Sequence, residues 1–182
     1  ECILQKVEGF CLFLPDGRTT RVQAPGYILD RSRFDKTLAI YALESGADLV
    51  NGTVVEVSGQ RVRFRRGGRE AEVEGKVIIG ADGPRSAVGR SIGAANAEFL
   101  VTVQVEVGLR IPFTTAEIWF DSRCVGGYKW IFPCGRTARV GIGLSAPRAN
   151  MLRGLLNDFL DNLADEGRIY RRSILSYSGG PV

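Results

Sequence analysis

Residues 77–86, VIIGADGPRS, carry the most informative pattern in this chain. A short apolar run leads into a Gly-Ala-Asp-Gly turn, after which Ser86 opens a short predicted helix. Glycine lets the backbone approach a ligand closely, and the N–H groups at a helix start can bind an anion. Asp82 either accepts hydrogen bonds from ribose-type hydroxyls or only holds the turn, since Asp-Gly turns are common. The residues alone leave both interpretations open.

Upstream of this turn, the sequence predicts strands around one helix. Ser32 is positioned to cap that helix, and Gly46 to end it. Arg61, Arg63 and Arg65 alternate with apolar residues, which predicts one solvated strand face rather than a nucleic-acid site. The predicted elements are a hairpin over 9–23, a strand over 27–29, a helix over 32–44, a strand over 47–57, a hairpin over 61–66 and 70–73, and a strand over 76–79.

Downstream of Gly93, the character of the sequence changes to alternating strands. Antiparallel pairing in meander order is the simplest arrangement for them. An amphipathic helix over 151–164 follows, with its leucines on one face, and then a polar strand over 169–176. The four predicted strands cover residues 99–111, 116–121, 127–132 and 138–144.

Composition excludes several classes of function. The chain has 182 residues, a net charge of +4, four cysteines and no histidine. Without histidine there is no Ser-His-Asp or Cys-His catalysis, and no cysteine pair has zinc-site spacing. No apolar run reaches the roughly 20 residues that span a bilayer, and no signal peptide is visible. We expect a cytoplasmic protein with reduced thiols, no bound metal and no nucleic-acid partner. Cys124 and Cys134 are expected to be inert packing.

Three motifs in this chain resemble one known family. Residues 77–86 resemble the Asp-Gly motif of the flavoprotein hydroxylase superfamily. Residues 31–39 have the form Arg-x-x-Phe-Asp-x-x-Leu-Ala, which is typical of the geranylgeranyl reductase family within that superfamily. Residues 128–133 resemble the Tyr-x-Trp-x-Phe-Pro stretch of the same family, and the glycine-alternating strand 138–143 follows them. The motifs occur in the family's order and span most of the chain.

The resemblance implies a flavin enzyme that saturates isoprenoid double bonds of a lipid, a chlorophyll pigment or a quinone. It implies FAD as cofactor, NADPH or reduced ferredoxin as electron donor, and peripheral contact with a membrane. It identifies no catalytic residue, and Glu117 and Asp121 are the nearest acids in sequence that could supply a proton. The FAD would be bound by Arg31, Asp82, Gly83 and Ser86. The substrate cavity would be lined by Tyr128, Trp130, Phe132 and Pro133.

The aromatic stretch has two interpretations from its residues alone. Tyr128, Trp130 and Phe132 alternate, so they share one face of a strand. Three rings on one face can wall a cavity for an apolar chain. They can equally form core against the helix over 151–164. Both interpretations stay open at this stage.

The predicted fold is α+β. We expect residues 1–93 to be part of an FAD-binding domain, an incomplete Rossmann-type fold, and residues 94–182 to be an antiparallel substrate-binding sheet with a covering helix. The sequence has no GxGxxG turn to grip the ADP part of FAD. We therefore expect the central part of such an enzyme, retaining no FAD and inactive alone. The alternatives are an FAD-dependent monooxygenase or quinone-linked dehydrogenase of the same superfamily, and a non-catalytic sheet domain that binds an isoprenoid or a partner.

Overall fold

A computed structural model describes residues 2–182, apart from the side chain of residue 172. The chain packs as two compact units, residues up to 35 together with 98–182, and residues 36–97. In chain order the elements are β1 (Ile3–Phe13), β2 (Thr19–Leu29), α1 (Arg31–Glu44), β3 (Thr53–Ser58), β4 (Arg61–Arg66), β5 (Arg69–Glu74), α2 (Ala87–Ser91), β6 (Leu100–Leu109), β7 (Thr115–Trp119), β8 (Lys129–Cys134), β9 (Thr137–Ser145), a 3₁₀ helix (Ala146–Met151), α3 (Leu152–Asp165) and β10 (Ile169–Pro181).

The larger unit is one seven-stranded sheet in the order β10-β6-β9-β8-β7-β1-β2. The predicted hairpin near the N-terminus is confirmed, because β1 and β2 pair antiparallel. This hairpin belongs to the large sheet, since β1 also pairs with β7 in parallel, Phe10 beside Ala116. Residues up to 35 therefore belong to the same compact unit as residues 98–182. The assignment of 1–93 to an FAD-binding domain remains a prediction.

The meander order is only partly correct. β7, β8 and β9 are antiparallel neighbours as predicted, but β6 pairs with β9 on one side and β10 on the other. Burial explains this placement. Val103, Val105 and Val107 of β6 are all buried, and a strand beside β9 is covered by α3, whose contacts include β6, β9 and β10. A position beside β7 is taken by β1.

The core of this unit lies between α3 and one face of the sheet, which we call the helix face. The predicted amphipathic helix is confirmed, and its leucines and Phe159 are buried. They pack on apolar residues of β6, β8 and β9, including Val105, Ile131 and Val140, each at most 1% exposed. Along β8 the residues alternate between buried and half-buried, so the two faces of this strand differ in burial.

The helix α1 begins one residue earlier than predicted. Its first-turn amide at Arg33 donates to the Asp30 carboxylate at 3.2 Å, so Asp30 fills the capping role that the sequence suggested for Ser32. Ser32 lies inside the helix. Asp and Ser cap helices equally well, and only the strand end at Leu29 decides between the two.

The smaller unit contains the antiparallel sheet β3-β4-β5. Its arginines face cross-strand glutamates: Arg61 contacts Glu74 at 2.7 Å, and Arg63 and Arg65 contact Glu70 at 3.2 and 3.1 Å. These exposed pairs contribute little stability each, but they confirm the predicted solvated face. The strand predicted over 47–57 begins only at residue 53, and residues 76–79 form no strand. In the described part of the chain, no helix is long and apolar enough to span a membrane.

Candidate functional site

The Asp-Gly turn of the smaller unit is built around the Asp82 carboxylate. One oxygen accepts a hydrogen bond from the Ser86 hydroxyl at 2.5 Å, and the other accepts from the Ala87 amide at 2.6 Å. Ser86 in turn caps α2, because its hydroxyl oxygen accepts from the Gly89 amide at 2.7 Å. The Ser86 hydroxyl and the Ala87 amide lower the pKa of Asp82 below its ordinary value. Asp82 therefore carries a negative charge at neutral pH.

This arrangement corrects one sequence-based expectation. The start of α2 was expected to offer free N–H groups to an anion, but the carboxylate of Asp82 and the hydroxyl of Ser86 already occupy two of them. A second anion would also be repelled by the Asp82 charge. The turn therefore suits hydroxyl groups of a ligand rather than a phosphate, because an exposed carboxylate has lone pairs left to accept from them.

Gly83 leaves the outer side of the turn open. Its φ of +80° lies in the left-handed region, where glycine is favoured. A Cβ atom at this position would meet nothing within 4 Å. A ligand could thus approach the backbone at Gly83 without meeting a neighbouring atom. Asp82, Gly83 and Ser86 are brought together as predicted, while their contact with FAD stays a prediction.

Arg31 is the first residue of α1. Its side chain is 71% exposed and forms an ion pair with Asp35 one turn later, at 3.2 Å. This is a local pair of helix neighbours. Binding of FAD by Arg31 remains a prediction.

The aromatic residues of β8 lie on the sheet face opposite α3, which we call the aromatic face. Lys129 and Ile131 point to the helix face and are 5% and 1% exposed, and the Lys129 ammonium lies 5.2 Å from the centre of the Phe159 ring. Alternation then directs Tyr128, Trp130 and Phe132 to the other side. Tyr128 is 38% exposed, and the other two rings are half-buried. The interpretation that these three rings form core against α3 is therefore wrong.

The three rings form one continuous row. Trp130 lies between the other two, with ring centres 5.9 Å from Tyr128 and 6.1 Å from Phe132. The planes of Trp130 and Phe132 differ by 26°, whereas Tyr128 stands at 65° to Trp130. The result is a partly exposed apolar wall on the aromatic face. Pro133 does not join it, because Pro133 is buried on the helix face.

Strand pairing sets polar residues beside this wall. Across β8, β9 and β6, Trp130 is followed by Gly141 and Gln104, and Phe132 by Arg139 and Glu106. The Gln104 side chain accepts a hydrogen bond from the Trp130 indole N–H at 3.0 Å. Sequence reasoning missed Gln104 and Gly141. The only signal for Gln104 was its position as a polar residue in the alternating pattern of β6.

Neither acid suggested as a proton source lies on the aromatic face. Glu117 pairs in register with Ile131 of the helix face, and its carboxylate binds Arg168 at 2.8 Å. Asp121 contacts the Lys129 ammonium at 2.5 Å. Hydrogen bonds from Arg123 and Lys129 hold the pKa of Asp121 far below its usual range, so it has no proton to donate at neutral pH. Glu106 is a carboxylate on the aromatic face, because it lies across from Arg139 and next but one to Gln104, and it accepts from the Thr137 hydroxyl at 2.7 Å.

The two cysteines beside the aromatic strand are poor nucleophiles. Cys124 is 3% exposed and belongs to the core, and Cys134 is half-buried. Burial raises the pKa of both thiols. A thiol with a raised pKa carries little thiolate at neutral pH, which agrees with the expected packing role.

Comparison with known proteins gives a consistent result. No protein-family model matches the chain. The digeranylgeranylglycerophospholipid reductase of Methanosarcina mazei is 32% identical over an alignment of 207 positions, gaps included. The alignment covers 99% of this chain and 49% of that protein. The enzyme of the same name from Methanococcus vannielii is 30% identical, with 100% of this chain and 52% of that protein covered. The chain thus spans about half the length of the curated relatives it matches.

Solved structures agree with the sequence matches. A geranylgeranyl bacteriochlorophyll reductase-like protein from Thermoplasma acidophilum superimposes with a TM-score of 0.80 at 25% identity, covering 100% of this chain and 51% of that one. The flavin-dependent halogenase CmlS has a TM-score of 0.71 at 17% identity, covering 97% of this chain and 38% of that one, and shares the fold alone. The resemblance carried by the three motifs is therefore confirmed: the chain is homologous to the geranylgeranyl reductases of the FAD-dependent oxidoreductase superfamily.

Proposed function

We propose that this chain supplies the substrate wall and one turn of the cofactor site in a flavin-dependent reductase of isoprenoid lipids. The relatives' names support a digeranylgeranylglycerophospholipid as substrate. The single observation that carries the proposal is the aromatic face, with three adjoining rings directed away from the covering helix. Such a surface binds an apolar chain by contact area, with few polar groups to fix its orientation.

The residues of this chain have distinct tasks in the proposed reaction. Bound FAD would supply hydride transfer to the isoprenoid double bond. Asp82 would accept hydrogen bonds from hydroxyl groups of the FAD, and Gly83 would leave its backbone accessible to it. Tyr128, Trp130 and Phe132 would hold the prenyl chain and exclude water from it. The cofactor would not be retained by this chain alone, since it has no GxGxxG turn.

The electron donor and cellular setting are further parts of the proposal. The flavin would be reduced by NADPH or by a reduced ferredoxin. We propose a cytoplasmic location with peripheral contact to a membrane, because a lipid substrate would be reached at the membrane surface. Chlorophyll pigments and quinones carry similar prenyl chains and are alternative substrates for the same wall.

The proposal is tested by flavin reoxidation. The complete gene product, with FAD bound and reduced anaerobically, is mixed with a digeranylgeranylglycerophospholipid in detergent. We expect the flavin absorbance to return and the lipid mass to rise by two hydrogens per reduced double bond. Reoxidation that requires oxygen and adds an oxygen atom to the lipid would instead indicate a monooxygenase. A flavin that the lipid never reoxidises would refute the proposed reductase. Repeating the assay with NADPH or with reduced ferredoxin identifies the donor.

A further inference from the structure

The indole of Trp130 lies directly on the backbone of β9. A Cβ atom at Gly141 would be 2.2 Å from Trp130 Cζ2 and 2.4 Å from Cε2, distances at which atoms overlap. Gly141 is not among the glycines with a positive φ, so its backbone would suit any residue. Glycine is needed at this position for space alone, because the indole ring occupies the volume that a side chain would fill.

The far end of the indole is also placed by its surroundings. At Gly143, the next residue of β9 on the same face, a Cβ atom would stand 3.9 Å from Trp130 Cζ3, an ordinary contact distance, so the ring needs glycine at Gly141 and not at Gly143. On the neighbouring strand β6, Gln104 accepts the indole N–H at 3.0 Å. Gly141 thus lets the ring lie flat across β9, and the hydrogen bond to Gln104 is made in that orientation.

A flat Trp130 determines the shape of the aromatic face. Because the ring planes of Trp130 and Phe132 differ by only 26°, these two rings make a low floor. The Tyr128 ring stands at 65° to Trp130 and closes one end of this floor. An upright indole would break this floor in the middle. The width and depth available to an extended apolar chain therefore depend on residues that lie beneath and beside the ring.

We propose that Gln104 and Gly141 are positioning residues that hold Trp130 flat, and that the resulting floor sets the affinity for an extended prenyl chain. The choice of a prenyl chain as ligand rests on the proposed function. The positioning of the indole by Gln104 and Gly141 is independent of the proposed function, because it is a property of the chain without any ligand. The positioning role and the proposed function can therefore fail separately.

The experiment uses the 182-residue chain with Trp119→Phe, which leaves Trp130 as the one tryptophan, because the sequence has two. Its fluorescence emission reports the environment of the indole, and equilibrium dialysis with radiolabelled geranylgeraniol gives the Kd. We expect Gly141→Ala to shift the emission maximum and to weaken geranylgeraniol binding by about tenfold or more, the equivalent of about 1.4 kcal/mol. Gly180→Ala is the matched control, because a Cβ atom there meets nothing within 4 Å, and it should change neither quantity.

A second pair of variants tests the hydrogen bond without adding bulk. Gln104→Met removes the acceptor and should shift both quantities in the direction of Gly141→Ala. Gln104→Glu keeps an oxygen that can accept the indole N–H. This variant should therefore have the emission maximum and the Kd of the parent chain. If Gly141→Ala and Gln104→Met leave the emission maximum unchanged, the positioning role is wrong. If the emission shifts while the Kd stays constant, the floor does not set affinity, and the proposed function survives. If the unaltered chain binds no geranylgeraniol, the prenyl-binding role of this face fails.

Discussion

Replacing Trp130 by alanine distinguishes an open wall from a buried core. The comparison is Phe159→Ala, because Phe159 is 3% exposed and sits against Trp119 at 5.5 Å in the core. Loss of a fully buried phenylalanine costs about 3–5 kcal/mol, since a cavity remains. Trp130 is only half-buried and borders solvent, so no closed cavity is left behind.

The cost of Trp130→Ala can be estimated from its contacts. Most of the Trp130 side chain is out of water, so it contributes most of the roughly 1.5–3 kcal/mol of a fully buried side chain. The hydrogen bond to Gln104 adds about 1 kcal/mol. We therefore expect a loss of about 2–3 kcal/mol in the free energy of unfolding, below that of Phe159→Ala.

Urea denaturation measures both variants. Trp119 fluorescence serves as the probe, because Trp119 stacks on Phe13 at 4.0 Å within the larger unit and so reports that unit. The slope of the free energy against urea should stay constant if both variants keep the same folded structure. A loss for Trp130→Ala equal to or greater than that for Phe159→Ala would show that the aromatic face is core, and the reasoning would be refuted.

Two further predictions concern carboxylates. Asp121→Asn removes a charged hydrogen bond from the buried Lys129 ammonium and should cost about 1.5–3 kcal/mol at neutral pH. Because the folded state holds the pKa of Asp121 far below its ordinary value, its contribution is fully present above about pH 4 and is lost progressively as the pH falls from there through the folded-state pKa; a stability difference between wild type and Asp121→Asn that stayed constant between about pH 5 and pH 2 would contradict this. Asp82→Ala should speed hydrogen exchange at the Ala87 amide that Asp82 binds, and in the complete gene product it should weaken FAD binding by roughly tenfold if a hydroxyl contact is lost; unchanged FAD affinity would leave Asp82 as a turn former only.

Local patterns in the sequence were sufficient for most of the elements. Alternation in β6 and β8 and the leucine spacing of α3 each follow from one face that must be buried. The capping residue of α1 was missed, because Asp30 and Ser32 are both good caps, and the choice depends on where β2 ends. The strand predicted over 76–79 does not form, because an apolar run forms a strand only where a neighbouring strand can pair with it.

Alternation along the chain was enough to predict that Tyr128, Trp130 and Phe132 share one side of a strand, and three motifs were enough to show the resemblance to the geranylgeranyl reductases. The side that faces α3 became known from the packing of the whole unit, because alternation defines two faces without saying which one is covered. This packing also placed Gln104 and Gly141 against Trp130, although they lie 26 and 11 residues from it along the chain. Such contacts depend on the strand order β6-β9-β8, which pairing across the whole sheet sets and no local pattern encodes.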